Sequence, residues 1–197
     1  MNIHLEGKHV ILRPMQLSDA KDLWKNTGGD EGLWKWVLTT MPIPTNENEM
    51  QTLVATLIEQ DSKGDRVCFA VYSKAHGEVV GSTSYLAIDN ANKSREIGST
   101  FYGEVARRSA INTECKYLLM QYAFETLGCE RVQIKADNTN ERSLTAIARL
   151  GVKREGELRH DRLRRDGTWR NAVYFSAISA EWPALKKHLV DLLNPAM

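Results

Sequence analysis

The chain is poor in the residues that staple a small fold or hold a metal. Its three cysteines, Cys68, Cys115 and Cys129, are odd in number and have no CxxC spacing, so neither a disulfide framework nor a zinc knuckle is indicated. Each falls inside an apolar pattern and reads as a core residue. His4, His9, His76, His160 and His188 are scattered without ligand spacing, and no metal is expected. Charge of one sign is also missing. The net value of +1 denies the chain the broad basic face with which proteins grip nucleic acid, so no nucleic-acid partner is expected. No run approaches the roughly 20 apolar residues that cross a bilayer, and residues 1–12 lack the apolar core of a signal peptide. A cytoplasmic protein without a membrane partner is therefore expected, and no internal repeat or low-complexity tract breaks it up.

What is present suits one globular unit. With 197 residues, 42% hydrophobic and 26% charged, the chain has material for a single core, and one domain over 1–197 is expected. A strand at 10–14 ends at Pro14, and Ser18 opens a short helix through Leu23 and Trp24. Residues 28–45 carry three glycines and two prolines beside Trp34 and Trp36, which predicts an irregular, partly helical excursion. Asn46 to Glu49 is a capping-box pattern ahead of Met50, Leu53, Val54, Leu57 and Ile58 on one helical face.

The period then changes to that of strands at 67–72, 79–86 and 96–102, linked shortly enough to form an antiparallel meander. A helix over 112–127 stops at Gly128 and a strand follows at 132–136. Asn140 caps a short helix closed by Gly151. Strands near 153–162 and 172–178 turn at Arg165-Asp166-Gly167, and a last helix carries Trp182, Leu185, Leu189 and Leu192. The order describes an α+β domain with helices packed on a mixed sheet.

The chemistry concentrates where the strand at 96–102 turns into the next helix. Free amides at a helix N-terminus and the positive end of its dipole suit a phosphate or pyrophosphate, and Arg107 and Arg108 would add to that. An ordinary strand-to-helix turn with two solvated arginines fits the same residues.

A longer series of motifs carries a resemblance: Glu96-Ile97-Gly98, Asn112-Thr113-Glu114, Tyr122-Ala123-Phe124, Asn140-Glu141-Arg142-Ser143, Leu150-Gly151 and Arg154-Glu155-Gly156-Glu157-Leu158-Arg159. Over nearly the whole chain, from Leu12-Arg13-Pro14 to Glu181-Trp182-Pro183, the sequence resembles the GCN5-related N-acetyltransferases, within them the RimJ/RimL-type branch that acetylates ribosomal-protein N-termini and polyamines. The resemblance implies a sheet splayed between its fourth and fifth predicted strands, with acetyl-CoA lodged in the gap and its pyrophosphate on Arg107, Arg108, Ser109, Ala110, Ile111 and Asn112. That loop departs from the family's Arg/Gln-x-x-Gly-x-Gly/Ala at both small positions. Ala110 keeps its N–H but loses the freedom for positive φ, which Asn112 tolerates better than most residues, so phosphate binding is expected to be weakened or reshaped rather than lost.

The resemblance further implies that the edge amides from Thr100 through Phe101 to Tyr102 bond the pantetheine arm like an added strand. Asn140 and Ser143 would lie near the sulfur, with the Ser143 hydroxyl able to protonate the leaving thiolate; a plain N-cap and N3 pair is the other reading. Tyr174 is a third candidate acid, which strand alternation explains as well. Glu96 is the candidate general base, the alternative being a surface carboxylate paired with Arg95 or Lys93. Trp34, Trp36, Tyr85 and Trp169 are candidates to line the acceptor side, the other reading being core or loop anchors, and Glu31, Asp89 and Asp161 could draw in a cationic amine, although a plain solvated face explains them better. The acceptor would be a protein N-terminus or a small amine, and homodimer pairing through exposed strands or the last helix fits the family. Transfer of a bulkier acyl group such as succinyl, a non-catalytic CoA-binding or interaction domain, and a nucleic-acid module built on Arg162, Arg164, Arg165 and Arg170 are the competing readings.

Overall fold

The computed structural model describes residues 3–37 and 41–195, so part of the 28–45 excursion, residues 38–40, lies outside the described residues. The strands are β1 (Leu5–Glu6), β2 (Val10–Pro14), β3 (Val67–Ser73), β4 (Glu78–Asp89), β5 (Ser94–Tyr102), β6 (Arg131–Asp137), β7 (Lys153–Leu163) and β8 (Trp169–Ile178). The helices are α1 (Asp19–Thr27), α2 (Glu31–Trp34), α3 (Glu47–Ser62), α4 (Ile111–Gln121), α5 (Glu141–Ala148) and α6 (Trp182–Leu193). The two-residue β1 and the one-turn α2 are too short to leave a periodic signal; every other element lies where the patterns place it.

One eight-stranded sheet runs in the order β1-β2-β3-β4-β5-β6-β8-β7. All neighbours are antiparallel except β5 and β6. The mixed sheet follows from the connections: short turns join β1 to β2, β3 to β4, β4 to β5 and β7 to β8, whereas β5 reaches β6 only by way of α4, as a parallel pair requires. The turn between β7 and β8 closes with Arg164 N–H on the Thr168 carbonyl at 2.7 Å, and Gly167 supplies the left-handed residue at φ 82°.

Cores cover both faces. One gathers Phe69, Tyr85, Ile97, Leu119, Leu150 and Leu189 beneath α4 and α6. The other places Leu23, Trp34, Met50, Leu57, Ala70 and Phe101 beneath α1 to α3. The three cysteines are buried free thiols. Asn46 caps α3 by accepting from Glu49 N–H at 3.0 Å, but Glu49 completes half a box only, its carboxylate turning to Thr45 N–H at 2.8 Å. Among the described residues no helix is long and apolar enough to cross a membrane, and no His, Cys, Asp and Glu residues cluster as metal ligands.

A bulge in β5 decides which of its side chains reach each face of the sheet. Ser82 pairs with Phe101 and Ser84 with Gly98, so Ser99 and Thr100 together face Thr83 alone. Ser99 takes φ 47°, a conformation that costs a non-glycine residue about 1–2 kcal/mol. The extra residue inverts the strand's alternation. Ile97 packs in the α4 core, while Phe101, four residues on, packs in the core of α1 to α3.

Candidate active site

The parallel ladder is short. β5 and β6 pair only as Ser94 with Arg131, Arg95 with Val132 and Glu96 with Gln133, after which both strands continue unpaired along their facing edges. The fork opens into a cleft of about 1280 Å³ running from the fork to the first turns of α4 and α5. That exceeds the roughly 300–1,000 Å³ of a single small-molecule pocket and leaves room for two reactants.

Glu96 sits at the fork. It is 5% exposed and lines the cleft, and neither Arg95 nor Lys93 is its partner. Arg95 projects to the other face, over the Tyr85 ring. The Glu96 carboxylate instead accepts from Gln133 Nε2 at 3.0 Å and faces Lys135 Nζ at 3.3 Å, both from β6. Lys135 Nζ also lies 3.9 Å from Asp161, which accepts from the Tyr174 hydroxyl at 3.0 Å and faces Arg170 Nε at 3.9 Å. Alternating charges therefore extend from the fork into the β7–β8 hairpin. The Tyr174 pKa is raised, chiefly by burial.

The far end of the cleft is cationic. Arg107, Arg108, Ser109, Ala110 and Asn112 line it, with Ile111 buried behind them. Ser109 shapes the turn, donating to the Ala106 carbonyl at 2.7 Å and accepting from Ile111 N–H at 3.2 Å. Amides of the first turn of α4 have no intrahelical acceptor, which suits an anion. Positive φ is not needed at the altered positions. Ala110 is helical at φ −69°, and it is Arg108 that adopts φ 55°, so the loop carries its left-handed residue two places earlier than expected. Arg107 pairs with Asp30, the N-cap of α2.

Three further cations line the same cleft, of which Arg149 and Lys116 leave no local signature in the sequence. Arg142 stands in the first turn of α5. Arg149 crosses to α4, donating to Thr113 Oγ1 at 2.6 Å. Lys116, 4% exposed in α4, donates to Thr100 Oγ1 at 2.8 Å, just after the bulge, and burial pulls its pKa down to about 8.

Asn140 caps α5 by accepting from Ser143 N–H at 3.1 Å, and both residues line the cleft. Asp137, at the end of β6, accepts from Thr139 N–H at 2.9 Å and from Arg164 Nε at 2.7 Å. Burial opposes ionisation there, but the Arg164 guanidinium and Thr139 hold the Asp137 carboxyl at about 2.

The aromatic side chains expected on the acceptor side do not gather. Trp34 is 1% exposed, its indole N–H on the Thr27 carbonyl at 2.8 Å and its ring 5.1 Å from Phe101. Tyr85 is fully buried, its hydroxyl on the Leu119 carbonyl. Trp169 lies outside the cleft, stacked on His160 at 5.3 Å. Trp36 does line the cleft, with Leu33, Val37 and Met41, and so do Phe101 and Tyr102. Of the four hairpin arginines, Arg164 and Arg165 make internal contacts, with Asp137 and with the Met41 and Val37 carbonyls, rather than forming a basic stripe.

The chain is similar to known proteins in both sequence and fold. The chain is 34% identical over 181 residues to a Bacillus subtilis protein named "Putative ribosomal N-acetyltransferase YdaF", covering 91% of this chain and 97% of that one. A GCN5-related N-acetyltransferase from Brucella melitensis superposes with a TM-score of 0.90 at 31% identity, over 99% of this chain and 87% of the other. Mycobacterium smegmatis RimJ, solved with CoA-disulfide, shares the fold with a TM-score of 0.78 at 22% identity, over 93% of this chain and 88% of that one. Residues 9–153 match the model of the acetyltransferase (GNAT) domain, and with that match the chain belongs to the GNAT family as an N-acetyltransferase.

Proposed function

We propose that this enzyme transfers an acetyl group from acetyl-CoA to a primary amine, on a protein N-terminus or a small molecule, by direct attack in a ternary complex with Glu96 as general base. The observation that carries the reading is the fork: the strands part immediately beyond Glu96 and Gln133, with a buried carboxylate at that point and the α4 amides and arginines at the opposite end. The donor supplies an activated acyl thioester. Arg107, Arg108, Arg142 and the Ser109 to Asn112 turn hold its phosphates, and the free edge from Thr100 to Tyr102 bonds its arm as an added strand does.

Only the neutral amine attacks. An α-amine, with an unperturbed pKa of about 7.8, is neutral in roughly one molecule in seven at pH 7, whereas a lysine near 10.4 almost never is. Glu96 removes the proton directly or through one water, and Gln133 and Lys135 fix the direction in which its carboxylate points. The C–N bond forms as the C–S bond breaks, and the Ser143 hydroxyl donates toward the departing sulfur. The name carried by the Bacillus subtilis relative supports an N-terminal acceptor.

Free thiol release from acetyl-CoA with an amine panel tests this reading. In Glu96→Gln, kcat/KM should fall by about 10²–10⁴-fold while CoA affinity stays within about twofold. Undiminished turnover in that variant removes Glu96 from the role of base.

A further inference from the structure

The acceptor end of the cleft contains a cation that the transfer chemistry does not use. Arg66 immediately precedes β3, where Val67 pairs with Tyr85 and Tyr85 with Ile97, so Arg66 stands in the cross-strand row of Leu86 and Glu96. Side chains in such a row share a face. All three line the cleft, and Arg66 is two strands, about 10 Å, from Glu96 at the backbone. Its NH1 nitrogen is buried without a hydrogen-bond partner among the described residues, as is Oε1 of Gln60, which lines the same cleft from α3.

A buried guanidinium nitrogen left unpaired costs free energy unless a ligand completes it. Of the carboxylates nearer the fork, Glu96 is engaged by Lys135 and Gln133, and Asp161 accepts from Tyr174 through Oδ1, while its Oδ2 has no hydrogen-bond partner among the described residues and lies 3.9 Å from Arg170 Nε. Lys135, Arg66 and Arg170 share this end with Glu96 and Asp161, and Asp61 and Asp65 act on Arg66 from outside the lining, so the cleft offers partners of both signs. A molecule bearing an amine and a carboxylate matches both demands. Burial also depresses the Arg66 pKa, outweighing the opposing influence of Cys68, Asp65 and Asp61 nearby.

We propose that the acceptor carries a carboxylate a few bonds from its reacting nitrogen, and that Arg66 receives it while the amine faces Glu96. This rests on the acetyl-transfer reading above. The carboxylate is either that of a free amino acid or the side chain of an acidic residue in the second position of a peptide. Arg66 is here a specificity residue, and Gln60 lines the same end of the cleft from α3.

N-acetylated products give the cleanest test, because their nitrogen no longer titrates. In the CoA complex, N-acetylalanine is compared with N-acetylalaninamide, and acetylated Ala-Glu-amide with acetylated Ala-Gln-amide, as competitors of turnover and by calorimetry. The acid of at least one pair should bind tenfold or more tightly than its amide, and the pair that shows the preference identifies the source. Arg66→Gln and Arg66→Met should bring the ratio to within about twofold while leaving CoA affinity and the melting temperature of the CoA complex near those of the parent. Equal binding of acid and amide in both pairs, a preference for polyamines, or a preference that appears only for succinyl-CoA over acetyl-CoA overturns the proposal while acetyl transfer itself stands. Absence of turnover with every amine despite CoA binding overturns both.

Discussion

Lys116 shows how a single residue sets a pH response. Its ammonium is buried in α4, held by Thr100 Oγ1 at 2.8 Å and by the more distant Thr83 Oγ1, with no carboxylate among these partners. Burial lowers its pKa from 10.5 to about 8, so between those values the unfolded chain binds the extra proton and the folded chain does not. Folding stability contributed by this group is therefore gained as pH rises from about 8 toward 10.5, and below about 8 the charged amine costs roughly 3 kcal/mol. Urea unfolding of the parent against Lys116→Met should show the parent gaining ground by that order across the window. A difference between the two proteins that is flat from pH 8 to 10 would mean that the charge is compensated inside the fold. At neutral pH the ammonium anchors Thr100 beside the bulge, so the same variant should also slow turnover by loosening the strand edge that receives the donor.

Contacts between elements make two further predictions. Asp30 caps α2 through Leu33 N–H and at the same time holds Arg107, tying the excursion over the acceptor side to the phosphate turn. A pyrophosphate must compete with that carboxylate for the guanidinium. Asp30→Asn keeps the cap and removes the competing charge, and since a partly exposed pair is worth about 0.2–1 kcal/mol, CoA affinity should rise by up to about fivefold in calorimetry. Unchanged or weaker affinity would mean that Arg107 serves the loop alone.

Asp137 ties β6 to the turn before α5 and to the β7–β8 hairpin. Its folded pKa of about 2 lies below the ordinary 3.8, so its contribution is present above about pH 4 and lost as pH falls toward 2. The parent should exceed Asp137→Asn by about 1–3 kcal/mol at neutral pH, and the gap should close on acidification.

These elements also show where sequence reasoning succeeds. That Glu96 lies in a strand and that Asn140 caps a helix with Ser143 in its first turn are legible, because strand alternation and helix caps are local patterns. Lys135, Arg66 and Arg149 are not, because they reach the cleft through strand register and helix packing, which no short window encodes. The expectation for Tyr85 fails by one step of parity: Leu86, its neighbour, faces the cleft with Glu96, whereas Tyr85 faces the core with Ile97. That for Trp34 fails because the single turn of α2 folds it onto Phe101 instead of presenting it.

At the scale of the whole molecule the sheet is two antiparallel halves, β1 to β5 and β6-β8-β7, joined edge to edge by the three pairs from Ser94 with Arg131 to Glu96 with Gln133. The core beneath α4 and α6 bridges the join, whereas the one beneath α1 to α3 stays within the β1 to β5 half, and beyond Glu96 the facing edges of β5 and β6 have no strand partner. A donor lying in the fork would replace the missing ladder and bind the folded chain alone. At one hundred times its dissociation constant it should add about 2.7 kcal/mol, or about 5–11 °C in melting temperature for a chain of this size. Hydrogen exchange localises the effect. Protection should rise along 97–102, 131–137 and the first turn of α4, and change little at the outer edge of the sheet in β7. Uniform protection, or protection confined to the β7–β8 hairpin, would place the donor somewhere other than between the parted strands, and would withdraw Glu96 from the neighbourhood of the reacting carbonyl as well.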